Sequence, residues 1–320
     1  MLSSSGESLA AEHPWIAVVE KAAGAVGFYT RDGRRIAGVK VGAFPHEAVL
    51  SPDGRLLYVS DNGVLWMTED GGGGNTISII DVQTMKRVGV IDLGRFRRPH
   101  GITFDRISGH LFATTERPYG LIEIDPVAGK VVRDFDIRGR APHMVMVTPR
   151  GDWAFASNVD SDAVAAVELK TGKVTLIPTG ARPQGGVFSP DASRLYVVNT
   201  GAAQISIIDP RRLQVVGTIP VGKGPGRIAI TPDGKTLVYN LQVDLGVGFA
   251  DIASRKQVAA LNLGGRPLSL TMTPDGKLAF AGVQDQDKVF VISVPERKVL
   301  RVIETPKGAG PDPAIPLISE

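Results

Sequence analysis

One short phrase, Thr-Pro-Asp-Gly, recurs about every forty residues and constrains the fold of this chain more than any other feature. In such a phrase proline pre-sets φ at the second position of a turn, aspartate bonds to the nearby backbone and glycine closes the turn. Each copy therefore predicts a tight loop between two paired strands. The copies, some of them degenerate, are Ser51–Gly54, Asp105–Gly109, Thr148–Gly151, Ser189–Ala192, Thr231–Gly234 and Thr273–Gly276.

The unit Leu195–Gly234 shows what accompanies each turn. It contains only short apolar runs, none of them long or periodic enough for a helix. The runs are Leu195–Val198, Ile205–Ile208, Val215–Pro220 and Arg227–Ile230. Four strands in a unit of about forty residues are typical of a propeller blade, in order from its inner to its outer strand. The repeat therefore predicts an all-β chain of four-stranded antiparallel blades.

A recurring proline counts the blades, because one stands ahead of each expected inner strand. These seven residues are Pro45, Pro99, Pro142, Pro183, Pro225, Pro267 and Pro311. Only nine residues follow the last of them, whereas the N-terminus supplies three strands that lack an inner partner, near Trp15–Val19, Val26–Thr30 and Arg35–Val41. We expect the C-terminal strand to join the N-terminal blade and close a seven-bladed β-propeller, which leaves no long unpaired edge.

Several phrases in the middle blades resemble a known repeat. Leu195–Asn199 reads LYVVN, the next run reads ISIID and is followed by VVGTIPVG, and a Pro-x-Gly joint precedes the Pro-Asp-Gly turn. These phrases resemble the YVTN-type seven-bladed propeller repeat, and the similarity covers nearly the whole chain. The resemblance implies the fold. It implies little about chemistry, because that family includes surface-layer proteins, periplasmic proteins and relatives of enzymes.

Composition excludes several classes of function. A formal net charge of +3 does not indicate a nucleic-acid-binding surface. The absence of cysteine excludes disulfides, iron–sulfur clusters and thiolate catalysis, and no apolar run is long enough to span a membrane. Residues 1–11 resemble the end of an export signal whose apolar part is missing. We expect a disordered N-terminal remnant there and a single periplasmic or secreted propeller domain over residues 12–320.

Three of the five histidines occupy one position of the repeat. His46, His100 and His143 each follow a landmark proline, in three consecutive blades. Loops that lead into inner strands open on one face of a propeller, so these side chains are expected to lie side by side at one mouth of the central channel. The other blades hold Gln184, Gly226, Leu268 and Asp312 at this position. Histidines that only cap their strands at a polar rim are the alternative to a shared site.

Three converging imidazoles predict a divalent metal. Neutral imidazoles bind cations, and three protein nitrogens with an open position are typical of catalytic zinc. Copper, iron, manganese and nickel also accept imidazole, and the sequence does not choose between them. Glu47, directly after His46, and Glu116, in the neighbouring loop of the next blade, are the candidate proton-transfer groups. Simple solvation of both acids at the rim is the alternative.

Arginines crowd the same rim and predict an anionic substrate. Six of them stand within two residues of a landmark proline, and the candidates among these are Arg98, Arg182, Arg227 and Arg266. A guanidinium group pairs well with a carboxylate or a phosphate, so these residues, together with Gln184, are candidates for binding a small anion. Solvated loop arginines are the alternative.

One loop is about a dozen residues longer than its counterparts in the other blades. Asp61–Asn75 contains four consecutive glycines and the apolar pair Trp66 and Met67. Loops of this length in a compact fold are usually functional or disordered. We expect a mobile lid that carries Trp66 over the channel mouth, with a partner-protein contact as the alternative. Tyr119, in the corresponding short loop of the next blade, is a further candidate for contact with substrate.

The residues together predict a metal-dependent enzyme, a hydrolase or a lyase, that acts on a small anionic or carbonyl-bearing molecule at a three-histidine site. In the architecture of this site the chain resembles propeller lactonases and propeller antibiotic and hydroxyglycine lyases. The competing interpretation is a non-catalytic propeller that binds a partner protein or a component of the cell envelope. Metal content distinguishes the two.

Overall fold

The computed structural model describes residues 13–317, and seven four-stranded antiparallel sheets form the blades of a closed propeller. The predicted N-terminal remnant, residues 1–11, lies outside the described residues. Within them the helical turns are two three-residue 3-10 helices, Val159–Ser161 and Gln284–Gln286. No helix among these residues is long and apolar enough to cross a membrane.

The strands fall into four concentric columns. The innermost are β4 (Pro45–Leu50), β8 (Arg97–Phe104), β12 (Pro142–Val147), β16 (Pro183–Phe188), β20 (Pro225–Ile230), β24 (Pro267–Met272) and β28 (Pro311–Pro316). The second are β1 (Ile16–Glu20), β5 (Leu56–Asp61), β9 (Leu111–Arg117), β13 (Trp153–Asn158), β17 (Leu195–Asn199), β21 (Thr236–Leu241) and β25 (Leu278–Val283). The third are β2 (Ala25–Tyr29), β6 (Thr76–Asp81), β10 (Tyr119–Asp125), β14 (Ala163–Glu168), β18 (Gln204–Asp209), β22 (Gly246–Asp251) and β26 (Lys288–Ser293). The outermost are β3 (Arg35–Lys40), β7 (Lys86–Asp92), β11 (Lys130–Phe135), β15 (Val174–Pro178), β19 (Gln214–Pro220), β23 (Lys256–Asn262) and β27 (Lys298–Glu304).

The hydrophobic core lies between neighbouring blades. The second and third strands are buried along nearly their whole length, because each blade packs face to face on the next, whereas outer strands such as β19 alternate between buried and exposed residues. The first and last blades meet in the same way. Trp15 packs edge-on against Phe280, with the ring centroids 5.1 Å apart. A continuous apolar layer therefore runs around the ring.

The C-terminal strand closes the ring, which confirms the prediction. β28 pairs antiparallel with β1, in a register that places Ile16 opposite Pro316 and Val18 opposite Ala314. The first sheet consequently has the order β28-β1-β2-β3. The two ends of the chain thus build one blade between them, and the propeller has no unpaired inner edge.

The recurring turns have the predicted construction. At Thr231, the carbonyl accepts a hydrogen bond of 2.8 Å from the Gly234 backbone N–H, and the hydroxyl donates to the Asp233 carboxylate at 2.6 Å. These turns join the first strand of a blade to the second. They lie on the face opposite the histidines.

The landmark prolines lie in the innermost strands, most of them at the first residue, and not a turn ahead of them. Proline suits this position because it has no N–H to contribute to the ladder. The pairing then slips by a residue just after the proline, as between Pro45 and Ala48 or between Pro142 and Val145. Such irregularities redirect side chains. Here they fall on the residues that line the channel mouth.

Candidate functional site

The structure brings His46, His100 and His143 together at one mouth of the channel. The ring centroids of His46 and His100 are 4.5 Å apart, and those of His100 and His143 are 4.3 Å apart. All three residues are buried, with exposed fractions of 3%, 3% and 6%. They come from the innermost strands of three successive blades, β4, β8 and β12, as the repeat position predicts.

Hydroxyl groups on the second strands hold the histidine backbones in place. Each hydroxyl accepts a hydrogen bond from the N–H of the residue after a histidine. It donates to the carbonyl of the histidine in the next blade. Ser60 accepts from Glu47 at 3.0 Å and donates to the His100 carbonyl at 2.8 Å. Thr114 accepts from Gly101 at 2.9 Å and donates to the His143 carbonyl at 2.6 Å. Sequence reasoning missed these bridges, although a hydroxyl residue recurs at one position of the second strand.

Close packing of the innermost strands also restricts the residues beside the histidines. A Cβ at Gly101 would lie 2.3 Å from the His143 carbonyl oxygen and 2.7 Å from the Cα of Met144. Neither backbone atom can move without disturbing a strand, so only glycine fits after His100. The close approach of β8 and β12 brings the two imidazoles into contact.

Glu116 orients His100. Its carboxylate lies 3.0 Å from His100 Nδ1 and accepts weaker hydrogen bonds of 3.4 Å from Arg98 Nη1 and Asn62 Nδ2. Because Nδ1 lies against a carboxylate oxygen, which accepts, Nδ1 donates the proton of this hydrogen bond, and in the neutral ring Nε2 has a lone pair. The sequence had suggested that Glu116 lies in a loop. In the structure it lies near the end of β9.

His46 is held from its other nitrogen. Its Nε2 lies 2.8 Å from the carbonyl oxygen of Val64, which can only accept a hydrogen bond, so Nε2 carries the proton. Nδ1 of His46 faces Nε2 of His100 at 3.5 Å. Val64 belongs to the long loop between β5 and β6. The imidazole therefore ties that loop to the channel mouth.

His143 faces a guanidinium group. Arg227 Nη1 lies 3.5 Å from His143 Nδ1, and Arg227 also makes a two-pronged contact with the Glu47 carboxylate, with Nε at 3.0 Å. This ion pair is buried and joins β4 to β20 across the channel. The carboxylate of Glu47 is thus engaged by Arg227. A role for Glu47 in proton transfer stays a prediction, and the geometry favours Glu116 for that role.

Burial keeps two of the imidazoles neutral. Loss of solvent is the main cause that lowers the pKa of His46 well below its ordinary value, and the positive charge of Lys21 adds to it. Burial lowers the pKa of His143 in the same way, and the positive charge of Arg227 adds to it. Neutral imidazole has a lone pair for a proton or a metal ion.

Acid is expected to destabilise the metal-free protein through these two histidines. Their pKa values are lower in the folded than in the unfolded state, so below about pH 6.5 the unfolded state binds more protons and the free energy of unfolding falls. If both stay neutral in the folded state, the loss between pH 7 and pH 5.5 is about 2–3 kcal/mol. Urea denaturation in the presence of a chelator measures it. A His46→Gln, His143→Gln double variant should show a smaller pH dependence; an equal dependence in both proteins would contradict this assignment.

A cavity of about 250 Å³ lies above the histidines at the mouth. Its lining includes the predicted residues Arg182, Gln184, Arg227, Arg266 and Trp66. The other predicted residues lie next to it. Arg98, Glu116 and Tyr119 line a neighbouring cavity of about 290 Å³, and Glu47 lines the channel below, where a cavity of about 170 Å³ begins.

Two charged residues of the mouth were not singled out from the sequence. Lys21 and Asp312 line the cavity and form a buried ion pair, with Lys21 Nζ 3.4 Å from Asp312 Oδ2. Asp312 occupies the repeat position of the histidines, and this could have identified it. Lys21 directly follows β1, and no other blade has a lysine at the corresponding position. Only closure of the ring by β28 brings the two together.

The long loop covers the mouth. Leu65, Trp66, Met67 and Thr68 line the cavity, and the Trp66 ring lies 5.4 Å from Lys21 Nζ. Arg98 fastens the loop from below, because its Nη2 donates to the carbonyls of Glu69 at 2.6 Å and Gly71 at 2.8 Å. The expected position of the loop over the channel is therefore observed. Its mobility stays a prediction.

The predicted three-histidine metal site also stays a prediction. Among residues 13–317, no group of three or more His, Asp or Glu side chains is arranged so as to hold a metal ion. His110, which the sequence left outside the site, contacts Glu123 at 2.6 Å away from the mouth.

Sequence comparisons identify relatives for the middle of the chain. Residues 151–276 match a family described as "YNCE-like beta-propeller". YncE of Salmonella typhimurium is 24% identical over 202 residues, which cover 62% of this chain and 54% of YncE. NirF of Pseudomonas aeruginosa is 26% identical over 206 residues, which cover 58% of this chain and 48% of NirF. The chain thus spans about half the length of the curated relatives it matches.

A solved structure supports the same fold over nearly the whole chain. The periplasmic gluconolactonase PpgL of Pseudomonas aeruginosa superposes with a TM-score of 0.74, over 94% of this chain and 98% of that one, at 17% identity. At this identity the likeness shows the fold alone. The chain is therefore a seven-bladed β-propeller, and its middle blades are similar to the YNCE-like propellers.

Proposed function

We propose that the cavity at the histidine mouth binds a small organic anion and that the protein acts on it as a hydrolase or a lyase. The observation that carries this proposal is the charge of the lining. Lys21, Arg182, Arg227 and Arg266 line the cavity, and among residues 13–317 Asp312 is the one acidic residue in that lining. A volume of about 250 Å³ suits a small metabolite and not a polymer.

Two of the arginines are available to a ligand. Arg227 and Lys21 are engaged in buried ion pairs with Glu47 and Asp312. Arg266 instead donates to the neutral amide oxygen of Gln242 at 3.1 Å. Arg182 pairs with Asp160 at 3.1 Å, but both side chains are about half exposed, so this pair is weak and a ligand can replace it. A carboxylate between Arg182 and Arg266 would gain charge-assisted hydrogen bonds.

His100 is the proton-transfer group in this proposal. Its Nδ1–H is directed at Glu116, which fixes the tautomer and the ring orientation and stabilises the positive charge when Nε2 takes a proton. A base placed in this way can activate water for hydrolysis or remove a proton from a carbon beside a carbonyl group for elimination. Neither role requires a metal ion. The loop over the mouth would limit access of bulk water to the reaction.

We place the protein in the periplasm or outside the cell. The similar fold of a gluconolactonase described as periplasmic supports this. The name gluconolactonase indicates that one propeller of similar fold has hydrolase activity. It supports the class of reaction and does not identify the substrate.

A panel of small carboxylates, phosphates and lactones tests the proposal. Binding is measured by the thermal shift and by calorimetry, and turnover is measured by mass spectrometry. Arg266→Gln should weaken binding of the best ligand at least tenfold, because a charge-assisted hydrogen bond is lost. His100→Gln should leave most of the binding and lower turnover by about 10²–10⁴.

Arg150→Gln is the matched control, because Arg150 is an exposed arginine in a turn on the opposite face. It should behave like the wild type. If Arg266→Gln and Arg150→Gln have equal effects, the ligand does not bind at this mouth. If a ligand binds with normal affinity and His100→Gln turns it over at the wild-type rate, the binding site stands and the catalytic role is wrong.

A further inference from the structure

Two histidine nitrogens face each other at the mouth, and neither has a proton for the other. Nε2 of His46 gives its proton to the Val64 carbonyl at 2.8 Å, which leaves a lone pair on Nδ1. Nδ1 of His100 gives its proton to Glu116 at 3.0 Å, which leaves a lone pair on Nε2. These two lone-pair nitrogens are 3.5 Å apart in a buried site. Two acceptors this close repel unless a cation lies between them.

We propose that His46 Nδ1 and His100 Nε2 bind one divalent metal ion of the kind that prefers imidazole, with zinc as the type case. Zinc–nitrogen bonds of about 2.0–2.1 Å across a nitrogen separation of 3.5 Å give an N–Zn–N angle of about 113–122°, somewhat wider than the tetrahedral angle. The remaining positions open toward the cavity, where water or a ligand oxygen can fill them. This site uses two of the three histidines that the sequence selected.

The ring nitrogens that face away from the proposed metal, His46 Nε2 and His100 Nδ1, have hydrogen-bond partners of the kind found in metal-binding histidines. In most such sites the second ring nitrogen donates to a carboxylate or a backbone carbonyl, which fixes the tautomer and raises the basicity of the ligand. Here Glu116 serves His100, and the Val64 carbonyl serves His46. His143 has a different neighbour, the Arg227 guanidinium, which engages its Nδ1. The ligand set is therefore the first two histidines.

The charges around this pair are balanced, so a cation is not excluded by them. Each nearby cationic side chain has an acidic partner: Lys21 with Asp312, Arg227 with Glu47, and Arg98 with Glu116. A shared proton is the other way to join the two nitrogens. Metal titration distinguishes a shared proton from a metal ion, because only the metal site takes up one equivalent of zinc. A metal ion brings water ligands that disperse its charge.

Metal titration of chelator-treated protein without a histidine tag tests this inference. Zinc binding is followed by calorimetry, and cobalt binding by its visible spectrum. The wild type should bind one equivalent. His46→Gln and His100→Gln should each lower zinc affinity more than 100-fold, and Glu116→Gln should lower it about 10–100-fold through its hold on His100. Melting curves of the metal-free variants show whether each one folds.

His110→Gln is the matched control, because His110 also contacts a glutamate, Glu123, but lies outside the mouth. It should bind zinc like the wild type. Nitrogen NMR of the imidazoles gives a second measurement on the intact protein: zinc should shift the signals of His46 Nδ1 and His100 Nε2. No zinc binding, unchanged signals of these two nitrogens, or an equal loss of affinity in His110→Gln would overturn the inference.

This inference goes beyond the proposed function, because zinc binding is measured without any substrate. Zinc on His100 Nε2 occupies the lone pair that the proposed proton transfer uses, so the metal-free protein is the catalyst in that proposal and zinc should inhibit turnover. The anion site and the metal site are tested separately. Arg266→Gln distinguishes the two. It should lose affinity for the organic anion and keep full affinity for zinc, since Arg266 contacts neither histidine. A protein that binds the anion but no zinc would overturn the metal site and leave the proposed function standing.

Discussion

Removal of residues 311–320 is expected to open the ring and leave most of the protein aggregated. The deletion removes β28, so β1 loses its inner partner and exposes a row of unpaired backbone groups. It also uncovers apolar surface, because Ala314 is buried and Ile315 packs under the first blade. Size-exclusion chromatography and thermal melting of the soluble fraction measure the outcome. Any monomer should melt at least 10 °C below the full chain.

A permuted chain is the control for this deletion. Ile16 lies opposite Pro316, and the Leu317 N–H donates to the Trp15 carbonyl at 2.9 Å, so the end of β28 and the start of β1 are neighbours. Residues 306–317 placed ahead of Trp15 through a short linker should therefore restore the blade as a hairpin and recover the monomer. A truncated chain that stays monomeric with an unchanged melting temperature would show that β28 does not close the fold.

Loss of one partner of the Glu47–Arg227 pair is expected to cost about 3–5 kcal/mol of folding free energy. The pair is buried and spans the channel between β4 and β20, so Glu47→Gln leaves a guanidinium group without a counter-charge and Arg227→Met leaves a carboxylate without one. The double variant should be more stable than either single variant, because no unpaired charge remains. Urea denaturation of the four proteins gives the coupling energy.

An exposed ion pair provides the comparison. Lys298 and Glu296 lie 3.1 Å apart with more than half of each side chain exposed. Lys298→Gln should change the free energy of unfolding by less than about 1 kcal/mol, because solvent screens this pair. If Glu47→Gln and Lys298→Gln have equally small effects, the channel pair does not stabilise the fold. Additive effects of Glu47→Gln and Arg227→Met would show that the two residues are not coupled.

The candidate site was partly predictable, and the reason lies in the repeat. A residue's position in its blade fixes its distance from the axis and its height along it, so the common position of His46, His100 and His143 in consecutive blades was enough to predict that the rings would meet. The same logic applied to Asp312, which shares that position. Lys21 lies outside any repeated position, so its contact with Asp312 had no signal in the sequence. The contact of Glu47 with Arg227 across the channel had no signal in the sequence either. Arg227 is 180 residues away, and three blades lie between the two residues along the chain.

The architecture was predictable from local and periodic features of the chain. The turns, the seven landmark prolines and the unmatched N-terminal strands were sufficient for blade number, strand order and closure by β28. These features are local or periodic, and backbone hydrogen bonding converts them directly into strands and loops. The nitrogen of each imidazole that carries a proton, and the acid that is engaged in an ion pair, became evident from the folded arrangement of the blades. Those roles depend on side-chain contacts of a few ångströms between blades, such as His46 with Val64, His100 with Glu116 and Arg227 with Glu47. No periodicity of the chain records them.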